Sequence, residues 1–188
     1  MLTAEQISTG VQVRKASMRD IPHILDLINA YAAEGIMLPR TEFELSENIR
    51  DFTCAWDGVQ LLGCAALHFY GPHSAEVRSL AVRPVVKKLG VGRKLVEALE
   101  VEAHEQDLAC IFAFTYVPGF FERLGFREVE RGELPLKVWK DCLRCKKFQS
   151  CDEIAVLKRL RPGAILSPLP PSEELVTLPT PARDVHPH

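Results

Sequence analysis

One stretch constrains this chain more than any other. Ala75 to Val82 is an apolar-rich strand pattern that runs into a basic turn, Lys87-Lys88-Leu89-Gly90-Val91-Gly92. Out of that turn comes a helix pattern in which Val91, Leu95, Leu99 and Ala103 share one face. Such a chain must set a helix N-terminus at the end of a strand. The first amides of a helix have no partner in their own helix and carry a partial positive charge. Two glycines let a ligand approach the backbone where a side chain would block it. Lys87, Lys88, Arg93 and Lys94 surround the same point. The whole reads as a pyrophosphate cradle.

Three kinds of glycine turn compete for that reading. A P-loop requires Ser or Thr after its Gly-Lys pair, and no Ser or Thr follows Lys94. A dinucleotide fingerprint requires a third glycine, and Leu95 stands there. The third pattern is a basic residue or Gln, two residues, then Gly-x-Gly, and Lys87 to Gly92 matches it with Lys in the first place. An ordinary strand–turn–helix with surface lysines is the alternative that the glycine pair alone leaves open. A second motif follows about thirty residues on, Tyr116-Val117-Pro118-Gly119-Phe120-Phe121-Glu122-Arg123-Leu124-Gly125-Phe126. Pro118 suits a first helical turn, Phe120, Phe121 and Leu124 share a face, and Gly125 is placed to end the helix.

Together, in this order, the two motifs resemble those of the GCN5-related N-acetyltransferase superfamily. The resemblance runs from about Val11 to Leu160. It implies an α/β fold of the α+β type: a mixed, mostly antiparallel twisted sheet with splayed central strands and helices on both faces. It also implies acetyl-coenzyme A as co-substrate. Lys87, Lys88, Leu89, Gly90, Val91, Gly92, Arg93 and Lys94 would then hold the pyrophosphate. Leu80, Ala81 and Val82 would run along the coenzyme, with backbone N–H near Leu80 and Val82 polarising the thioester carbonyl. Phe120 and Phe121 would line the cofactor site.

A nearer resemblance is to the acetyltransferase domain of bacterial N-acetylglutamate synthases. Ile36-Met37-Leu38-Pro39-Arg40, Leu62-Gly63-Cys64-Ala65-Ala66-Leu67-His68 and Ala75 to Val82 carry it. It implies that Arg40 grips a carboxylate of an amino-acid substrate, a role suited to the planar guanidinium fork. Arg78 is the second substrate-binding candidate. Toward the end of the chain, where those synthases contact substrate again, Arg144, Lys146 and Lys147 are candidates only. The implied function is transfer of acetyl to the α-amine of an amino acid, glutamate first, at the start of arginine biosynthesis.

The chemistry needs a base, because an α-amine with a reference pKa of roughly 8 is mostly ammonium at pH 7. Glu76 stands where the histone-modifying branch of the superfamily places its glutamate base, and a carboxylate can act there through a water. His68 is the rival base. An exposed strand carboxylate and a half-buried structural histidine are the plain readings of the two. Many relatives place a Tyr proton donor second in the aromatic pair, but Phe121 cannot donate; Tyr116 is the alternative acid. Two other functions stay open: acetylation of another small amine, and a non-catalytic sensor of acetyl-coenzyme A.

Composition sets the remaining bounds. The chain has 188 residues, a formal net charge of −2 and 47% hydrophobic residues, enough for one domain with a sizeable core. That charge implies no general attraction to nucleic acid or membrane. Met1 to Gly10 lacks a signal-peptide core and reads as a flexible start, and no run approaches a membrane span. A cytoplasmic protein with reduced cysteines is expected, and a homodimer is left open. From Arg161 the composition changes: seven of thirteen prolines fall in residues 161–188, which read as a disordered tail. Residues 11–160 are then the acetyltransferase domain.

Local signals fill that span. Val11 to Lys15 reads as a strand. Ser17 with Asp20 makes a capping box for a helix running to Gly35, and Thr41 caps a second helix to about Asp51. A hairpin turns at Asp57-Gly58, a second turn falls at Gly71-Pro72-His73-Ser74, and further strands cover Cys110 to Thr115, Phe126 to Val129 and Glu153 to Arg159. Cys64 and Cys110 read as core. Cys142, Cys145 and Cys151 have partial metal-ligand spacing, with Cys54, Asp152 or a histidine as a fourth group, but three thiols make no site by themselves and no metal is expected.

Overall fold

The computed structural model describes residues 10–134 and 151–162. Seven strands form one open sheet: β1 (Gln12–Lys15), β2 (Phe52–Trp56), β3 (Leu61–Phe69), β4 (Ser74–Val82), β5 (Cys110–Thr115), β6 (Arg127–Glu128) and β7 (Ile154–Arg159), in the order β1-β2-β3-β4-β5-β7-β6. Every pairing is antiparallel except β4 with β5. Among the described residues they are accompanied by the α-helices α1 (Ile21–Ala33), α2 (Glu42–Asn48), α3 (Val91–Glu105) and α4 (Pro118–Glu122). This is the mixed, mostly antiparallel sheet that the sequence motifs imply.

Strand alternation sorts the side chains onto two faces. On one, Ala65, Leu67, Ala75, Val77, Ile111, Ala113 and Val156 form a single cluster with Val91, Leu95, Val96, Leu99 and Ala103 of α3 and Phe121 of α4. The four-residue spacing along α3 is the reason: each side chain of that stripe reaches the sheet. On the other face, Cys54, Cys64, Ala66 and Ala81 pack under Ile24, Leu27 and Ile28 of α1 and Leu45 of α2. A separate cluster on that face holds Tyr70, Cys110, Phe112, Leu134, Ala155 and Leu157.

The helix starts follow the local signals with one difference. Thr41 caps α2 through a complete box: its hydroxyl accepts from the Glu44 N–H at 3.2 Å, and the Glu44 carboxylate accepts from the Thr41 N–H at 3.0 Å. At α1, Asp20 accepts from the Ser17 N–H at 2.7 Å, but the Ser17 hydroxyl donates to that carboxylate instead of capping the helix. Asp20 also takes both arms of Arg14, at 2.8 and 2.9 Å. The Arg14 hydrogen bond first, and the Ser17 donors after it, hold the Asp20 carboxyl at about 2. Met18–Asp20 is therefore a 3-10 turn, and α1 proper begins at Ile21. Likewise α2 ends at Asn48, and a 3-10 turn carries the chain through Asp51. The strand expected over Phe126 to Val129 is only Arg127–Glu128, an edge pair on β7 before the chain turns into a 3-10 helix at Arg131–Glu133.

A gap opens at the centre of the sheet. β4 and β5 pair at Ser74, Ala75 and Glu76 against Cys110, Ile111 and Phe112, and then diverge. On the other edge of β4 the register with β3 shifts between Cys64 and Ala66, which pair with Ala81 and Arg78. Ala65 thus faces two residues, Ser79 and Leu80, and Ser79 lies at φ 54. This is a β-bulge, and it bends the strand as the gap begins.

Candidate functional site

The gap exposes backbone groups. Arg83 N–H donates to Leu62 C=O at 2.8 Å, and Val82 pairs opposite Gly63. In an antiparallel ladder the N–H and C=O of successive residues point to alternate sides. Those of Val82, and of Leu80 two residues earlier, therefore point away from β3, into the gap. The side chain of Ala81 goes instead into the core under α1. Across the gap, Tyr31 of α1 donates its hydroxyl to Val82 C=O at 2.6 Å.

Below the gap lies the cradle. Leu89 N–H closes onto Val86 C=O at 3.2 Å, and the first α-helical bond runs from Lys94 N–H to Gly90 C=O at 3.0 Å. The amides of Val91, Gly92 and Arg93 precede that bond and have no acceptor within α3. Lys88 (φ 72) and Gly90 (φ 82) are both left-handed, which curls the loop around those amides. The two glycines serve different ends. Gly90 is needed for its conformation. At Gly92 the nearest atoms a Cβ would meet belong to the Phe120 and Val82 side chains, at 3.5 and 3.6 Å, ordinary contact distances. Protein packing alone does not demand glycine there; an approaching ligand would.

The cations are arranged around this point by different partners. Lys87 Nζ lies 5.1 Å over the Tyr31 ring. Arg93 bonds Arg123 C=O at 3.5 Å and pairs with Glu97, which ties the start of α3 to the end of α4. Lys88 is exposed and Lys94 half-buried. Of the aromatic pair, Phe120 is half-buried beside Gly92, whereas Phe121 is buried edge-on against Phe126 in the α3-face cluster. Gly125 (φ 86) ends α4 with the bond from Phe126 N–H to Phe121 C=O that such a cap requires.

The face under α1 and α2 carries the titratable groups. Glu76 and Arg78 alternate on β4, and His68 pairs opposite Glu76 on β3, so all three share that face. Tyr70 donates its hydroxyl to Glu76 Oε2 at 3.0 Å. His68 Nδ1 lies 2.6 Å from Asp51 Oδ2, and its ring meets Tyr70 edge-on at 5.0 Å. Asp51, His68, Glu76 and Arg78 make a polar band between the two apolar clusters of this face, and Tyr70, of the second cluster, reaches into it with its hydroxyl. Tyr70 and Asp51 were not singled out in the sequence. Tyr70 lies two residues past His68, so strand alternation was the available signal for it. Tyr116 stands exposed just past the end of β5.

Arg40 lies on the connection from α1 to α2, and Asn29 of α1 grips its backbone twice. Asn29 Nδ2 donates to Arg40 C=O at 3.0 Å, and Arg40 N–H donates to Asn29 Oδ1 at 2.9 Å.

The thiols are placed for packing. Cys54 and Cys64 face each other across β2 and β3, fully buried. Burial pushes the Cys54 thiol up to about 12 and the Cys110 thiol up to about 11, and it raises the Cys64 thiol well above its ordinary value. Cys142, Cys145, Arg144, Lys146 and Lys147 lie outside the described residues, as do residues 1–9 and 163–188 of the predicted flexible ends. Cys151 is half-buried, with its thiol 3.7 Å from Glu153. Among the described residues no cluster of three or more His, Cys, Asp or Glu could hold a metal ion, and no helix is long and apolar enough to cross a membrane.

Residues 22–126 match the Acetyltransferase (GNAT) family. The chain is 43% identical over 148 residues to an uncharacterized N-acetyltransferase of Chlorobaculum tepidum, covering 79% of this chain and 96% of that one. It is 31% identical over 135 residues to an amino-acid acetyltransferase of Mycobacterium tuberculosis, covering 70% of this chain and 77% of that one. Among solved structures it resembles the N-acetylglutamate synthase of Neisseria gonorrhoeae complexed with coenzyme A and N-acetyl-glutamate, with a TM-score of 0.73 and 29% identity. That match covers 80% of this chain and 35% of the synthase.

Proposed function

The chain belongs to the acetyltransferase (GNAT) family and is an acetyl-coenzyme A-dependent N-acetyltransferase; from that premise we propose that its acceptor is the α-amine of an amino acid, L-glutamate first. The observation that carries the reading is the position of Glu76. Its carboxylate accepts from Tyr70 on the face under α1 and α2, at the last β4 residue before the gap. The 31% identity to an amino-acid acetyltransferase supports the same acceptor class. With glutamate as acceptor the enzyme takes the first step of arginine biosynthesis, in the cytoplasm.

The steps follow from the site. The thioester lies along the gap, with its pyrophosphate on the amides of Val91, Gly92 and Arg93 and the cations Lys87, Lys88 and Lys94 around it. Arg40 and Arg78 hold the carboxylates of the acceptor. Glu76 takes a proton from the ammonium through a water. The freed nitrogen attacks the thioester carbon, and the C–N bond forms. Charge collects on the carbonyl oxygen, where the N–H groups of Leu80 and Val82 meet it. The C–S bond then breaks as the nitrogen gives up its second proton to water, and the thiolate leaves, taking a proton from water or from Tyr116, which water reprotonates. With a model thiol pKa of ~8.5, leaving as thiolate at pH 7 costs roughly 2 kcal/mol over the protonated product, so no dedicated acid is required.

The test is an acetyl-transfer assay across the twenty amino acids with released thiol measured, paired with Arg40→Lys. L-Glutamate should give the highest kcat/KM. Arg40→Lys should raise the amino-acid KM about tenfold or more and leave the acetyl-coenzyme A KM nearly unchanged, because lysine keeps the charge but loses the fork. No turnover with any amino acid would remove the acceptor assignment and favour another small amine or a sensor role.

A further inference from the structure

α1 touches both halves of the site through side chains two residues apart. Successive residues on a helix turn by about 100°, so Asn29 and Tyr31 project on nearly opposite sides. Asn29 clasps the backbone of Arg40 through two hydrogen bonds, at 3.0 and 2.9 Å. Tyr31 donates to Val82 C=O at 2.6 Å, and its ring lies under Lys87 Nζ at 5.1 Å. Ile24, Leu27 and Ile28, buried against the sheet, anchor the helix through its other contacts.

We infer that the C-terminal half of α1 sets the distance between the two substrates: Asn29 is a positioning residue for the acceptor, acting through Arg40, and Tyr31 is a positioning residue for the coenzyme, acting through Val82 and Lys87. The Asn29 half rests on the proposed grip of Arg40 on a carboxylate; the Tyr31 half does not.

The Asn29 amide matches both the donor and the acceptor of one backbone residue. Few side chains can do this, because only Asn and Gln carry a carbonyl and an amide together. It therefore fixes the peptide from which the Arg40 side chain departs, and with it the reach of the guanidinium. Tyr31 acts on the opposite side. Val82 C=O lies on the edge of β4 that the divergence of β5 leaves open, where an extended amide-bearing ligand adds like a further strand. The hydroxyl holds that carbonyl in line while a second lone pair stays available. The ring meanwhile draws Lys87 to the mouth of the cradle through a cation–π contact.

The roles are separable by which constant each variant moves. In the full chain, Asn29→Ala should raise the KM for L-glutamate about tenfold and leave the acetyl-coenzyme A Kd, read by calorimetry, within about twofold. Asn29→Asp, which keeps the acceptor but loses the donor, should fall between wild type and Asn29→Ala. Tyr31→Phe should weaken acetyl-coenzyme A about fivefold with the amino-acid KM within about twofold. Tyr31→Leu, which also removes the ring under Lys87, should weaken it further. If each variant shifted both constants by the same factor, α1 would be a structural prop and the inference would be wrong. Arg40→Lys run alongside separates the two readings. A raised KM in Arg40→Lys with no effect of Asn29→Ala overturns this inference alone. No effect of Arg40→Lys overturns the carboxylate grip and the Asn29 half with it, leaving Tyr31 to be judged on coenzyme affinity.

Discussion

The two faces of the central sheet obey different rules. Under α3 the side chains make one unbroken apolar cluster from Ala55 to Val156. Under α1 and α2 the apolar material is split into two clusters, with Asp51, His68, Glu76 and Arg78 between them and Tyr70, of the second cluster, bonding into that band. A continuous apolar face has one job, which is to fix the sheet and the helix that crosses it. A polar band inside an otherwise apolar face costs stability unless its members are paired. Here His68 is paired with Asp51 at 2.6 Å and Glu76 with the Tyr70 hydroxyl at 3.0 Å. The contrast bears on where chemistry can reside: in the proposed reaction the face that tolerates charge would hold the reacting amine, while the face that excludes it would present the N-terminus of α3 to the coenzyme.

That division can be broken first at its coenzyme end. Gly92→Asp adds bulk and negative charge at the mouth of α3, where protein packing leaves ordinary contact distances. Acetyl-coenzyme A binding should be abolished while circular dichroism stays native. Unchanged affinity in the folded variant would remove the cradle from the coenzyme site.

The polar band comes next. Glu76→Gln keeps the shape and removes proton acceptance, so the rate near neutral pH should fall by roughly 10² or more. Part of the loss should return at high pH, where more amine is already free. A full rate at pH 7 would pass the role of base to His68 or water.

A matched pair sharpens the comparison. Leu99→Ala, in the centre of the α3-face cluster, should cost about 2–5 kcal/mol in denaturant unfolding and leave both KM values near wild type. Tyr70→Phe removes only the hydroxyl that donates to Glu76, and should lower kcat about fivefold with little change in melting temperature. If Leu99→Ala damaged catalysis and Tyr70→Phe damaged stability, the division of labour between the faces would be false.

The smallest effect concerns the rim of the α1 face. Asp20, paired with Arg14, has its carboxyl lowered to about 2 from 3.8. A depressed carboxylate stabilises the fold above its unfolded pKa, and that contribution is lost as pH falls through the folded value. The shift alone would correspond to roughly 2 kcal/mol, and the partial exposure of Arg14 reduces this to about 1 kcal/mol. In Asp20→Asn, unfolding free energy should lose that much at pH 7 and fall less steeply than wild type between about pH 4 and 2. Parallel acid profiles for the two proteins would show the pair to be silent.

Much of this was legible in the sequence, because it is local. The cradle, the stripe along α3, the Thr41 box, the hairpin turn and the Gly125 stop depend on residues within a few positions of each other, and the physics of caps, turns and periodicity acts at that range. The strand alternation that puts Glu76 and Arg78 on one face is equally local. Tertiary structure alone decided what those residues face. Asn29 meets Arg40 across 11 residues, His68 meets Asp51 across 17, and Tyr31 meets Val82 across 51. The Ser79 bulge depends on how β3 and β4 register against each other, which no residue in either strand reports by itself. Asp20 keeps the role its spacing gives it, accepting from the Ser17 N–H, and the tertiary structure adds both arms of Arg14 to the same carboxylate. The composition of the site is a local property of this chain, but its geometry arises only when the sheet assembles.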